Sequence, residues 1–94
     1  MALKKNHLLD GTMHMDMYIR FDNILFEGKE GDEKRITRGI MLGYESKEAA
    51  DAGEKQICYF DVGFVYDLTS TDNLWVQAYS AAKALPEMAD AVDC

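Results

Sequence analysis

Ninety-four residues suffice for one domain and exclude two separate cores. A hydrophobic fraction of 48% beside a charged fraction of 29% excludes a disordered or fibrous chain. Seventeen acidic against ten basic residues, a net charge of −7, argue against a nucleic-acid backbone as the main partner, because such binding draws on clustered Lys and Arg. No apolar run approaches the roughly 20 residues of a membrane helix, so no membrane partner is expected.

The first eleven residues read as a polar lead-in that ends in a turn at Asp10-Gly11. Leu3, Leu8 and Leu9 are left to dock elsewhere. The lysines of Met1-Ala-Leu-Lys-Lys have no apolar stretch behind them, which does not read as a secretory signal. From Met13 the pattern sharpens. Met13, Met15, Met17, Ile19 and Phe21 alternate with His14, Asp16, Tyr18 and Arg20, and a period of two predicts a strand with one buried face. At Asp22-Asn23 the parity slips to Ile24 and Phe26, which calls for a bulge or turn.

Glu27 to Arg35 is charge-rich, holds two glycines and reads as a hairpin connection; it lacks the oxygen-ligand spacing of a calcium loop. A second strand is predicted over Ile36–Tyr44. Ile36, Ile40, Leu42 and Tyr44 share one parity, and Gly39 and Gly43 lie on the other, as bulges or as space for a neighbour. Ser46 to Gly53 reads as a short helix with Ser46 as its N-cap and Gly53 as its stop.

A third strand is predicted over Gln56–Leu68. Its even residues, Cys58 to Leu68, form a core face. The odd face carries Ile57, Tyr59 and Val65 and is too apolar for full exposure, which implies a second covering layer, either the helix or another subunit. Thr71 or Asp72 then caps an amphipathic helix over Asn73–Leu85, stopped by Pro86. A further short turn is expected within residues 86–94. The whole predicts a single α+β domain over residues 1–94: a three- to four-stranded antiparallel meander within 12–68 and one C-terminal helix packed on it within 72–94.

Catalytic chemistry finds little support. Cys58 lies on the predicted core face and Cys94 is the last residue, settings that do not activate a thiol. Two free thiols are the expected state, with a Cys58–Cys94 bridge or an intermolecular bridge from Cys94 as alternatives. His7 and His14 lack metal-ligand spacing. Asp16, Asp61 and Asp67 occupy positions that face solvent, and no phosphate-binding glycine loop or nucleophile elbow occurs. No catalytic residue, metal or cofactor is therefore expected. The residues expected at a protein interface are Trp75 and Tyr79 on the helix margin, Tyr59 and Val65 on the odd strand face, and Met88. The stripe Met13, Met15 and Met17 reads as core filling.

The C-terminal third carries Tyr66-Asp67-Leu68, Asn73, Val76-Gln77-Ala78-Tyr79, Lys83-Ala-Leu85-Pro86-Glu87 and Ala89-Asp-Ala-Val-Asp-Cys94. It resembles small tailed-phage and prophage proteins that end in a Gln-Ala-Tyr helix, a Lys-x-Leu-Pro-Glu step and an Ala-Asp-Ala-x-Asp-Cys tail. Tyr44 to Gly53 and Met17-Tyr18-Ile19-Arg20 are similar to the same group. The chain departs from it at Met88, where an aromatic is expected, and at Leu74-Trp75. The resemblance implies a non-catalytic virion component of the tail, baseplate or fibre-attachment region, made in the host cytoplasm. It would act by self-association and by docking to other phage tail proteins. A phage protein that binds a host factor and a small-ligand-binding α+β domain are the alternative readings.

Overall fold

The alternation of polarity and its interruptions together lay out one twisted sheet. In the computed structural model, which describes residues 1–94, the strands are β1 (Leu3–Leu9), β2 (Thr12–Lys29), β3 (Lys34–Tyr44), β4 (Cys58–Asp67) and β5 (Val92–Asp93). All neighbours are antiparallel, in the order β4-β3-β2-β1-β5. Helix α1 (Lys47–Asp51) links β3 to β4, and helix α2 (Leu74–Lys83) packs on one face of the sheet. The α+β class and the packed helix match the expectation, whereas the sheet has five strands in place of three or four.

The extra strands come from the two ends of the chain. Residues 1–11 are no lead-in: β1 pairs with β2, and the intervening Asp10-Gly11 has positive φ at both residues (50° and 81°), as a two-residue hairpin turn requires. The alternation of β1 is hidden in the sequence because its inward positions are Leu3, Lys5, His7 and Leu9. Lys5 buries its stem and sends its ammonium to the Glu87 carbonyl and to Asp90, 3.3 Å away. At the other end, residues 72–94 are not helical throughout. A single 3-10 turn over Pro86–Met88 leads into β5, which pairs with Leu3 and Lys4. The Cys94 N–H donates to the Ala2 carbonyl at 3.1 Å.

Bulges decide which faces are buried. Opposite Asn6, β2 inserts one extra residue at Met15-Asp16; Asp16 takes φ 50° and its N–H donates to Asn6 Oδ1 at 2.9 Å. That insertion reverses the parity below it. Met13 and Met15 are therefore exposed, His14 turns inward opposite His7, and only Met17 of the methionine stripe enters the core. The slip expected at Asp22 is present as a second bulge, and a third lies at Glu27. The connection is correspondingly short, since β2 runs to Lys29 and β3 begins at Lys34.

The inward face of β3 is Thr37, Gly39, Met41 and Gly43, the parity opposite to its isoleucines. The glycines explain the choice. A Cβ on Gly39 would stand 2.4 Å from Cε1 of Phe21, and one on Gly43 would meet the Cys58 and Met17 sulfurs at 3.0 Å. Large side chains of β2 and β4 thus pack over bare backbone on β3. The inner face of β4 agrees with the prediction at Phe60 and Val62, with Cys58, Phe64 and Tyr66 half-buried and Leu68 exposed. Ala78 and Ala82 of α2 are wholly buried against this layer, their small size letting the helix sit close.

Both helices start on side-chain caps. Ser46 Oγ accepts from the Ala49 N–H at 3.1 Å, and Gly53 at φ 75° ends the α1 turn, as expected. The cap of α2 is Asn73, whose Oδ1 accepts from the Val76 N–H at 2.9 Å, rather than Thr71 or Asp72. The helix ends at Lys83, short of Leu85.

Candidate functional site

One helix can cover one face, and α2 covers the inner one. The outer face is built in cross-strand rows: Tyr18 beside Tyr44; Arg20, Leu42 and Tyr59; Asn23, Ile40 and Asp61; Leu25, Arg38 and Gly63; Gly28, Ile36 and Val65. Leu25, Ile36, Tyr59 and Val65 are all exposed, Tyr59 to 67%. Leu25, Ile36 and Val65 lie near one another on three neighbouring strands, and Tyr59 lies about 20 Å farther along β4 beside the half-buried Leu42, so the exposed apolar patch is interrupted by Arg38 and Asp61.

Charge inside this patch is neutralised locally. Arg38 grips Asp61 with two parallel bonds, Nε to Oδ1 at 2.7 Å and Nη2 to Oδ2 at 2.5 Å. The hydrogen bonds from Arg38 hold the Asp61 carboxyl below its ordinary range, and Asp61 in turn raises the Arg38 guanidinium above its own. At the β1 end, the Arg20 guanidinium lies 5.6 Å from the Tyr44 ring and 6.0 Å from the Tyr18 ring, and reaches Asp51 of α1 at 3.5 Å. These pairings satisfy the charged side chains, and Arg38 and Asp61 stay about as exposed as the apolar residues beside them.

The patch runs out at an open strand edge. β4 is the last strand on its side of the sheet and pairs with β3 in unbroken register. In an antiparallel ladder alternate residues turn their N–H and C=O groups toward and away from the neighbour. The Leu68 N–H donates to the Glu33 carbonyl, whereas the Asp67 N–H points off the edge. Carried along β4, that alternation turns Tyr59, Asp61, Gly63 and Val65 to the open side. Asp67 alone is satisfied there. The Gln77 side-chain amide accepts from the Asp67 N–H and donates to the Asp67 carbonyl, both at 2.9 Å, and so stands where a neighbouring strand would be. Nearby, Thr69 donates both its hydroxyl and its N–H to the Asp67 carboxylate and holds it below the usual range.

The expected interface residues divide in two. Tyr59 and Val65 lie on the patch and Trp75 is exposed on the helix. Tyr79 and Met88 are 4% and 1% exposed, so both belong to the core and not to an interface. Tyr79 is buried because β1 ends beside Phe21: the phenol oxygen accepts the Phe21 N–H at 3.2 Å that no strand takes up, and donates to the Met1 carbonyl at 2.8 Å. Met88 is carried under the sheet by the 3-10 turn. Leu25, Ile36 and Gln77 are the positions of the patch and the edge that periodicity misses. Leu25 follows a bulge, Ile36 lies on a strand whose buried face the alternation leaves open, and a half-buried glutamine carries no signal of its own.

Compared with family models, curated proteins and solved structures, the chain matches none. Elsewhere on the surface, a groove of about 430 Å³ is lined by Met1, Arg20, Phe21, Asn73, Trp75 and Tyr79 and opens to solvent. Cys58 and Cys94 are both free thiols. Burial pushes the Cys58 thiol up, and its Sγ lies 3.7 Å from Met17 Sδ. His7 packs edge-on against Phe60, with ring centroids 5.5 Å apart. Burial first, then Lys5 and His14, lower its pKa. No three His, Cys, Asp or Glu side chains converge as metal ligands would, and no helix is long and apolar enough to cross a membrane.

Proposed function

We propose that this chain is a small structural subunit that works by docking, self-association included, through its outer sheet face and the β4 edge, and that it carries no reaction. The observation that supports this reading is the patch of Leu25, Ile36, Tyr59 and Val65, exposed on adjacent strands and continuous with an unpaired strand edge. Burying such a patch against protein is favourable by about 25 cal/mol per Å² of apolar surface removed from water. The excess of acidic residues would keep free subunits soluble before assembly.

Its place in the tail, baseplate or fibre-attachment region of a tailed phage is proposed on the sequence resemblance alone. The motif residues Gln77 and Tyr79 have clear work in the fold. One closes the Asp67 backbone on β4 and the other the Phe21 N–H on β2, so the Gln-Ala-Tyr step ties α2 across the sheet. Mass spectrometry of purified phage particles from the source host tests the placement. The chain is expected as a stoichiometric component. Its absence from particles, with the protein present in the lysate, would overturn the virion reading.

A further inference from the structure

The β4 edge has the properties that most proteins avoid at the rim of a sheet. Cys58–Asp67 contains no Lys, Arg or Pro, runs ten residues and has no bulge. Such an edge is a template for another strand. The other open edges of this sheet are protected. β1 carries Lys4 and Lys5 and is partly covered by β5, and β2 is bulged at Asp22 and Glu27 within the stretch that β1 does not cover. The Gln77 amide closes β4 at Asp67, which leaves Tyr59 to Val65 as the accessible length.

We propose that this edge pairs with the β4 edge of a second copy of the chain, antiparallel about a two-fold axis at Val62, joining two five-stranded sheets into one. The inference deepens the docking reading and rests on it; it names the partner, the strand and the register. The choice of partner follows from self-complementarity. With the axis at Val62, Tyr59 of each copy faces Val65 of the other, and Asp61 faces Gly63. On the inner face Phe60 is brought beside Phe64, and Val62 beside its own symmetry mate.

Every neighbouring register is worse. An axis at Asp61 sets two Asp61 carboxylates opposite each other, and like charges directly across a ladder are destabilising. An axis at Gly63 sets Asp61 against Val65 and calls on Asp67, whose backbone is already taken by Gln77. An axis at Phe64 brings Asp61 opposite Asp67. An axis at Phe60 leaves Val65 outside the paired length. Only the Val62 register covers both exposed apolar residues of the edge, Tyr59 and Val65, and gives the Arg38–Asp61 pair a facing residue without a side chain. The contact is isologous, so it closes as a dimer and does not propagate.

Two measurements on the full chain test this. In light scattering, the wild-type chain is expected at twice its 10.6 kDa mass. Gly63→Pro is expected at the single mass with an unchanged circular-dichroism spectrum, because proline is tolerated on a strand edge whose N–H faces outward while it blocks pairing there. Should that variant fail to fold, Val65→Lys, on an exposed side chain, is expected to lower the mass in the same way. For the register, Cys58→Ser and Cys94→Ser provide a thiol-free background. Tyr59→Cys combined with Val65→Cys is then expected to give a covalent dimer on oxidation, the facing Cα atoms being about 5.5 Å apart. Tyr59→Cys alone is expected to give none, since symmetry-related copies of that residue lie about 20 Å apart along the ladder.

A dimer that survives both Gly63→Pro and Val65→Lys but is lost in Leu25→Lys, on β2, would overturn the edge pairing and leave the docking reading standing. A dimer that forms no disulfide in the double-cysteine chain would overturn the register. A wild-type chain that stays at the single mass at millimolar concentration would overturn self-pairing altogether. It would also remove self-association from the docking reading, and an extended strand of a different protein would be the remaining occupant of the edge.

Discussion

Tyr79 shows how much a single atom can hold in a domain this small. Its phenol oxygen joins the Phe21 N–H to the Met1 carbonyl at the point where β1 stops, so the side chain fills the core and completes the sheet at once. Tyr79→Phe keeps the ring and orphans the Phe21 N–H, a loss of about 1–3 kcal/mol; urea unfolding should show it as a lower midpoint at unchanged slope. Gly39 is the converse case, where the absent atom matters. Gly39→Ala would drive a methyl into the Phe21 ring and should cost about 1–3 kcal/mol by overpacking, read by the same unfolding curves. His7 adds a pH dependence. Its folded pKa lies below the ordinary 6.5, so the unfolded chain takes up the proton more readily. The stability it contributes is complete above that ordinary value and is lost as pH falls below it. The melting temperature of wild type should therefore drop more between pH 7.5 and pH 5 than that of His7→Gln. None of these three roles is written in the polarity pattern, which treats Tyr79 as a margin residue, Gly39 as a gap and His7 as lead-in.

At the scale of elements, the sequence is most legible where polarity and backbone conformation agree. β4, the α1 turn between Ser46 and Gly53, and the stop of α2 before Pro86 are readable because each is set locally, by a clean alternation, a cap or a breaker. β1 is not readable, because Lys5 and His7 occupy inward positions and are made tolerable only by Glu87, Asp90 and Phe60 from far along the chain. The methionine stripe fails for a related reason: the Asp16 bulge, supported by Asn6, reverses parity without any glycine to announce it. Polarity leaves the buried face of β3 open, since its core side is built by glycines that only the facing Phe21 and Met17 explain. Gln77 belongs to this scale too, as a side chain that substitutes for a strand. Gln77→Ala leaves the Asp67 N–H and C=O without partners and should lower stability by about 1 kcal/mol. The Asp67 amide should also exchange with solvent faster than in the wild type, and an unchanged rate would show that the Gln77 bond contributes nothing.

For the whole molecule, the arrangement is lopsided. One helix closes the inner face over Met41, Phe60 and Val62, and the outer face is left with its hydrophobic rows exposed. The surplus apolar odd face of β4 is legible in the sequence; that no element of the chain covers it is not, because covering depends on where α2 lands. The patch and the open edge meet along β4, so the proposed partner strand on the edge would also extend the patch across a second sheet. Hydrogen exchange of the β4 amides over a range of protein concentrations tests that arrangement most directly. The amides of Tyr59, Asp61, Gly63 and Val65 should exchange quickly when dilute and become protected as concentration rises. Those of Phe60, Val62 and Phe64, already bonded to β3, should be slow throughout. Fast exchange at the four outward amides at every concentration would contradict it.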